Sequence, residues 1–104
     1  MDNHKISIPL ERIAEFCRKW RVEEFALFGS IVSDDFDDKS DVDVLVTFSP
    51  DAHIGLFDFI RMRDELKKIF KRKVDLVSRR GIENSRNIIR KKAILDSIEV
   101  IYAA

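Results

Sequence analysis

Apolar residues recur along this chain with two periods, and each period predicts a different kind of element. Leu10, Ile13, Phe16/Cys17 and Trp20 fall at helical spacing, with Pro9 tolerable in a first turn, so a helix is expected over residues 9 to 20. Glu24-Phe25-Ala26-Leu27-Phe28 is a short apolar run stopped by Gly29 and reads as a buried strand. Val42 to Phe48, rich in β-branched residues and ended by Ser49-Pro50, is the clearest strand in the chain. Between these strands, Ser30 to Val32 predict the start of a short helix and Ser33 to Ser40 a polar, acidic loop. Leu56, Phe59/Ile60, Leu66 and Ile69/Phe70 mark an amphipathic helix whose basic C-terminal end suits the helix dipole. Lys73 to Val77 read as a third strand, residues 83 to about 95 as a helix, and Ile98 to Tyr102 as a short strand or a continuation of that helix. Strands alternating with helices predict an α/β (α+β) architecture, a small mixed β-sheet with flanking helices.

Composition narrows the class. At 104 residues the chain is expected to form one domain, residues 1–104, and 45% apolar residues with eight Phe give it the means to fold around a modest core. The 19 basic and 19 acidic side chains cancel, so net charge offers no argument for general nucleic-acid or membrane binding. Their distribution is uneven. Acids crowd Asp34 to Asp43, and bases crowd Lys67 to Lys73 and Arg79 to Lys92. The first basic group reads as a solvated helix end or a partner surface; of the second, Arg79, Arg80, Arg86, Arg90, Lys91 and Lys92 follow Asp75 closely enough for some to reach a ligand there. Cys17 has no partner for an internal disulfide and reads as a small core residue. No apolar segment approaches the ~20 residues that span a bilayer, and no signal-peptide core opens the chain, so no membrane contact and a cytoplasmic location are expected. His4 and His53 stand apart from each other and from Cys17, which disfavours a zinc site. Leu56, Phe57, Phe59 and Ile60 place apolar groups around more than one helix face, as surplus core or as a contact for another subunit.

The candidate chemistry lies where strands meet loops. Gly29-Ser30 follows the first strand, where glycine allows close backbone approach and a helix start offers unpaired N–H groups to a phosphate; a plain turn is the alternative. Ten residues later, Asp41 and Asp43 flank Val42 at the head of the strand and project to the same side. They are either turn-forming aspartates at a solvated strand start or a pair of oxygen ligands for a hard divalent cation. Asp75, between Val74 and Leu76, either pairs with a neighbouring Lys or Arg or joins Asp43 from an adjacent strand as a third carboxylate. Three acids around a phosphate site suggest two-metal chemistry, in which a hydroxyl attacks an α-phosphorus and pyrophosphate leaves.

Leu27-Phe28-Gly29-Ser30, ten residues, and then Asp41-Val42-Asp43-Val44-Leu45-Val46 resembles the GS-x10-D-x-D signature of the DNA polymerase β-like nucleotidyltransferase superfamily. The length and the ending Ile98-Glu99-Val100-Ile101-Tyr102 are similar to its minimal nucleotidyltransferase (MNT) branch, many of whose members are antitoxins of HEPN ribonuclease toxins. The resemblance implies the nucleotidyltransferase fold and an Mg²⁺-dependent enzyme. It implies that Gly29 and Ser30 contact the triphosphate and that Asp41, Asp43 and Asp75 form the catalytic, metal-binding set for two Mg²⁺ ions. It further implies that AMP passes from ATP to a tyrosine hydroxyl of a HEPN toxin partner, held in a hetero-oligomer without direct nucleic-acid binding. Members often carry small-Arg-Gly after the Gly-Ser pair, where this chain has Val32-Ser33-Asp34. Arg79, Arg80, Arg86 or Lys92 are candidates to supply the missing charge; neutralisation of a toxin by binding alone is the alternative function.

Overall fold

The computed structural model describes residues 8–32 and 39–104. Four strands form one sheet in the order β3-β2-β1-β4: β1 (Val22–Phe28), β2 (Val42–Phe48), β3 (Val74–Ser78) and β4 (Glu99–Ala103). β1 runs antiparallel to β2 and β4, while β3 runs parallel to β2, so the sheet is mixed. Helices α1 (Leu10–Trp20) and α2 (Leu56–Phe70) lead into β1 and β3, and α3 (Arg79–Glu83) and α4 (Ile88–Asp96) precede β4. Both long helices stop at a residue in the left-handed conformation, Arg21 (φ 57°) and Lys71 (φ 57°), which turns the chain at once into the next strand.

Strand alternation divides the core into two layers. On one face Phe25, Leu27, Val42, Val44, Val46, Val74 and Leu76 meet Ile13, Phe16 and Cys17 of α1 and Met62, Leu66 and Phe70 of α2. The Phe16 ring stands edge-on to Phe25, 6.1 Å between centroids. Full burial of side chains such as Phe25, Ile13 and Met62 contributes on the order of 1.5–3 kcal/mol each. On the other face Ala26, Phe28 and Leu45 pack beneath Ile82 of α3 and Ile94 of α4. This second layer is small. It leaves the two ends of its face open for polar side chains.

The expected elements are present, with differences at the C-terminal end. The stretch read as one helix from 83 to about 95 is two helices, and α3 over Arg79–Glu83 lies where no element was expected. The polar run Asn84 to Asn87 breaks the helix, and Asn87 starts a new one by accepting a hydrogen bond from the Arg90 N–H at 3.0 Å. The final apolar stretch is a strand, not a helix continuation, and it covers the β1 edge remote from β2. Leu56 and Phe57 are 73% and 78% exposed and add nothing to the core, whereas Phe59 packs against it. No helix among the described residues is long and apolar enough to cross a membrane.

Candidate active site

Pairing on both sides of β2 builds the site. Phe28 at the end of β1 pairs with Asp43, and Asp43 pairs with Asp75 of β3. Gly29 therefore lies directly beside Asp43, and its φ of +74° belongs to the region that side-chain-bearing residues rarely adopt. A Cβ at Gly29 would overlap Asp43 Oδ2 and lie 3.2 Å from its Cγ. The glycine is thus required twice, for the turn and for room beneath the carboxylate. Gly29–Val32 form a single 3₁₀ turn with Ile31 buried, not the start of an α-helix. Its backbone dipole is correspondingly small, so an anion there would rely on individual N–H groups and the Ser30 hydroxyl.

The two sheet neighbours, Asp43 and Asp75, differ in their surroundings. Asp43 is half-buried, in the same file of β2 as Leu45 and on the face capped by Ile94. Burial first, and then the like charges of Asp75 and Asp41, push its carboxyl from 3.8 up to about 6; the charge of Arg90 opposes them. Asp75 is exposed, and it faces Asp43 from the adjacent strand, the second of the two arrangements expected for it. It is the second residue of an edge strand, and alternation turns it away from the layer that holds Val74 and Leu76. Asp41 is exposed just ahead of β2. The structure thus places Asp75 opposite Asp43 and keeps Asp41 within electrostatic reach. Among the described residues no group of three or more His, Cys, Asp or Glu is gathered closely enough to hold a metal ion. The donor chemistry nevertheless suits a hard divalent cation: oxygen ligands only, and a half-buried carboxylate crowded by its own kind.

The basic residues sort themselves by position. Arg79 stands at the opposite end of β3, where Nη2 donates to Glu24 Oε1 at 2.8 Å and Nε to Thr47 Oγ1 at 3.2 Å. It ties β3 to β1 and β2 and is not the compensating charge of the site. Lys91 Nζ donates to the Glu83 carbonyl at 2.9 Å and secures α4 to α3. Arg72 donates to the Ser40 carbonyl at 2.9 Å, holding the residue before Asp41. Arg90 is the cation whose charge acts on Asp43. The sequence placed it in a basic cluster without singling it out. The acidic residues Asp34, Asp35, Asp37 and Asp38 and the position of the expected arginine lie outside the described residues.

The profile of the nucleotidyltransferase domain family matches residues 10–98, nearly the whole chain. The chain belongs to the nucleotidyltransferase domain family. A relative from Methanocaldococcus jannaschii, named "Putative protein adenylyltransferase", is 32% identical to this chain over 66 residues, 64% of its length. The match spans 66% of that relative's own length. The chain also shares its fold with a chain of a toxin–antitoxin crystal structure containing AMP-PNP, with a TM-score of 0.71 over 93% of this chain and 75% of the other at 15% identity. A chain from the complex of a tri-AMPylated Shewanella oneidensis HEPN toxin with its MNT antitoxin gives a TM-score of 0.62 over 91% and 70% at 14% identity.

Proposed function

We propose that residues 1–104 form a minimal nucleotidyltransferase domain, a cytoplasmic Mg²⁺-dependent antitoxin that transfers AMP from ATP to a tyrosine hydroxyl of a HEPN toxin partner. The observation that carries this reading is Asp43, paired with Asp75 across parallel strands and lying over a side-chain-free Gly29. The M. jannaschii relative named as a protein adenylyltransferase and the AMPylated toxin in the neighbouring complex support the same reaction class and partner.

In this reading Asp41, Asp43 and Asp75 hold Mg²⁺, which when bound lowers the pKa of the attacking hydroxyl and neutralises the phosphates. Gly29 lets the triphosphate approach the backbone, and Ser30 donates a hydrogen bond to it. The acceptor oxygen forms a bond to the α-phosphorus while the bond to the bridging oxygen breaks, and pyrophosphate leaves with the electron pair. The exposed Asp75 accepts the proton of the acceptor hydroxyl.

Incubation with labelled ATP, Mg²⁺ and a HEPN toxin tests the proposal: label passes to the toxin and transfer disappears in Asp41→Asn/Asp43→Asn. Absence of transfer, or transfer that survives the double substitution, overturns it. Val32-Ser33-Asp34 stands where related sequences often carry small-Arg-Gly, which favours a second reading, neutralisation by binding alone. A double variant that still protects against the toxin would support that reading.

A further inference from the structure

At the end of the sheet where β2 and β3 begin lies a basic cavity. Its volume of roughly 420 Å³ falls in the range of ~300–1,000 Å³ usual for ligand clefts. Lys39, Ser40, Asp41, Lys71, Arg72 and Lys73 line it. Two hydrogen bonds fix the walls. The Val42 N–H donates to the Lys73 carbonyl at 2.9 Å, extending the parallel ladder beyond its Val42–Val74 pair, and Arg72 donates to the Ser40 carbonyl at 2.9 Å. The left-handed turn at Lys71 (φ 57°) bends the chain from α2 into this wall. Lys39, Lys71 and Lys73 are exposed, and no described lining residue is aromatic or apolar. Among the described residues no ion pair holds the ammonium of Lys71 or Lys73. Like charges gathered in this way repel one another, and an anionic occupant offsets that cost.

The cavity lies on a definite side of the carboxylates. Gly29 and Ser30 follow β1, one neighbour of β2, while Lys71 to Lys73 lead into β3, its other neighbour. Asp43 stands between the two. In-line displacement at phosphorus sets the attacking oxygen opposite the leaving one. With the triphosphate at the Gly29–Ser30 turn, the acceptor enters from the β3 side, past Asp75. Lys73 is two residues before Asp75, a step of roughly 7 Å along extended chain. We propose that the basic cavity is the acceptor-recognition site and takes an acidic protein segment beside the accepting hydroxyl. The proposal rests on the nucleotidyl-transfer reading and adds to it the chemistry of the acceptor. Carboxylate side chains suit a lining of ammonium and guanidinium donors. A nucleic-acid strand suits it less, because its bases would find no aromatic side chain to stack on.

The test uses fluorescent peptides in which one tyrosine is flanked by glutamates, by glutamines or by lysines. Their binding is followed by anisotropy at several salt concentrations, and label transfer to them from ATP in Mg²⁺ is measured on the same proteins. The wild type should bind the glutamate peptide about tenfold more tightly than the glutamine peptide, with the difference shrinking as salt rises. Lys71→Gln/Lys73→Gln should lose this preference. Lys71→Glu/Lys73→Glu should favour the lysine peptide instead, a reversal that a purely structural role of these exposed residues would not produce. Thermal unfolding of both variants guards against misfolding. Equal affinity of the wild type for all three peptides, or a glutamate preference that survives both double substitutions, overturns the proposal while leaving nucleotidyl transfer standing. A matching loss of ATP affinity in Lys71→Gln/Lys73→Gln would assign the cavity to the donor nucleotide, and stronger competition by oligoadenylate RNA than by polyglutamate would assign it to nucleic acid; either result overturns the proposal. Charge-selective peptide binding without label transfer to any peptide or to a HEPN toxin overturns the transfer reading and leaves the cavity a docking site for acidic segments.

Discussion

The carboxylate of Asp43 makes the site a local cost to folding, and Asp43→Asn should reveal it. Burial and the charges of Asp75 and Asp41 raise its pKa from 3.8 to about 6 in the folded protein. Because the folded pKa is above the unfolded one, the folded state holds the extra proton between these values. The penalty is therefore absent below pH ~4, grows as pH rises toward 6 and is fully present above it. At about 1.4 kcal/mol per unit, the shift corresponds to roughly 3 kcal/mol without screening. The carboxylate is half-exposed, so solvent reduces this to about 1–2 kcal/mol. Asparagine keeps the shape and removes the charge. Urea unfolding of the two proteins from pH 4 to 8 in EDTA should show Asp43→Asn more stable by about 1–2 kcal/mol at pH 7 and indistinguishable at pH 4. Adding Mg²⁺ at pH 7 should stabilise the wild type alone and narrow the gap. A gap of constant size across the pH range, or a variant less stable than wild type at pH 7, would refute the reasoning.

Two further outcomes follow from packing. Gly29→Ala places a Cβ against the Asp43 carboxylate at a φ of +74°; it should lower stability by about 1–3 kcal/mol in urea unfolding and abolish nucleotide transfer, whereas retention of both would show the turn to be adaptable. Burial, partly offset by Arg18, pushes the Cys17 thiol up to about 12; alkylation by iodoacetamide at pH 8 should be slow in the folded protein and become fast only when denaturant opens the α1 layer, as mass spectrometry will show.

The local elements were readable because their burial is periodic. Val42, Val44 and Val46 all face one layer, which is why β2 was found with both its ends. The region after β3 was not. The hydrophobic pattern of 83–95 hides a break made by polar residues and an Asn87 cap, and α3 buries only Ile82. The motif Gly29-Ser30 with Asp41 and Asp43 was visible because it is local, one turn and one strand. The choice between the two arrangements open to Asp75 was not readable, because a residue's sheet neighbours are not encoded by its immediate neighbours in the chain.

By itself, then, the sequence determined the first three strands and the two long helices, through their apolar periods, and the identity of the acids and the glycine of the candidate site. Tertiary structure decided what those groups do to one another. Packing half-buries Asp43 and parallel pairing of β2 with β3 sets Asp75 opposite it, and burial first, then that like charge, raises the Asp43 pKa. Sheet packing assigns Arg79 to Glu24 at one end of the face, while Asp41 and Asp75 crowd Asp43 at the other. Charge and hydrophobicity belong to single residues, but distance between them exists only after the chain has closed on itself.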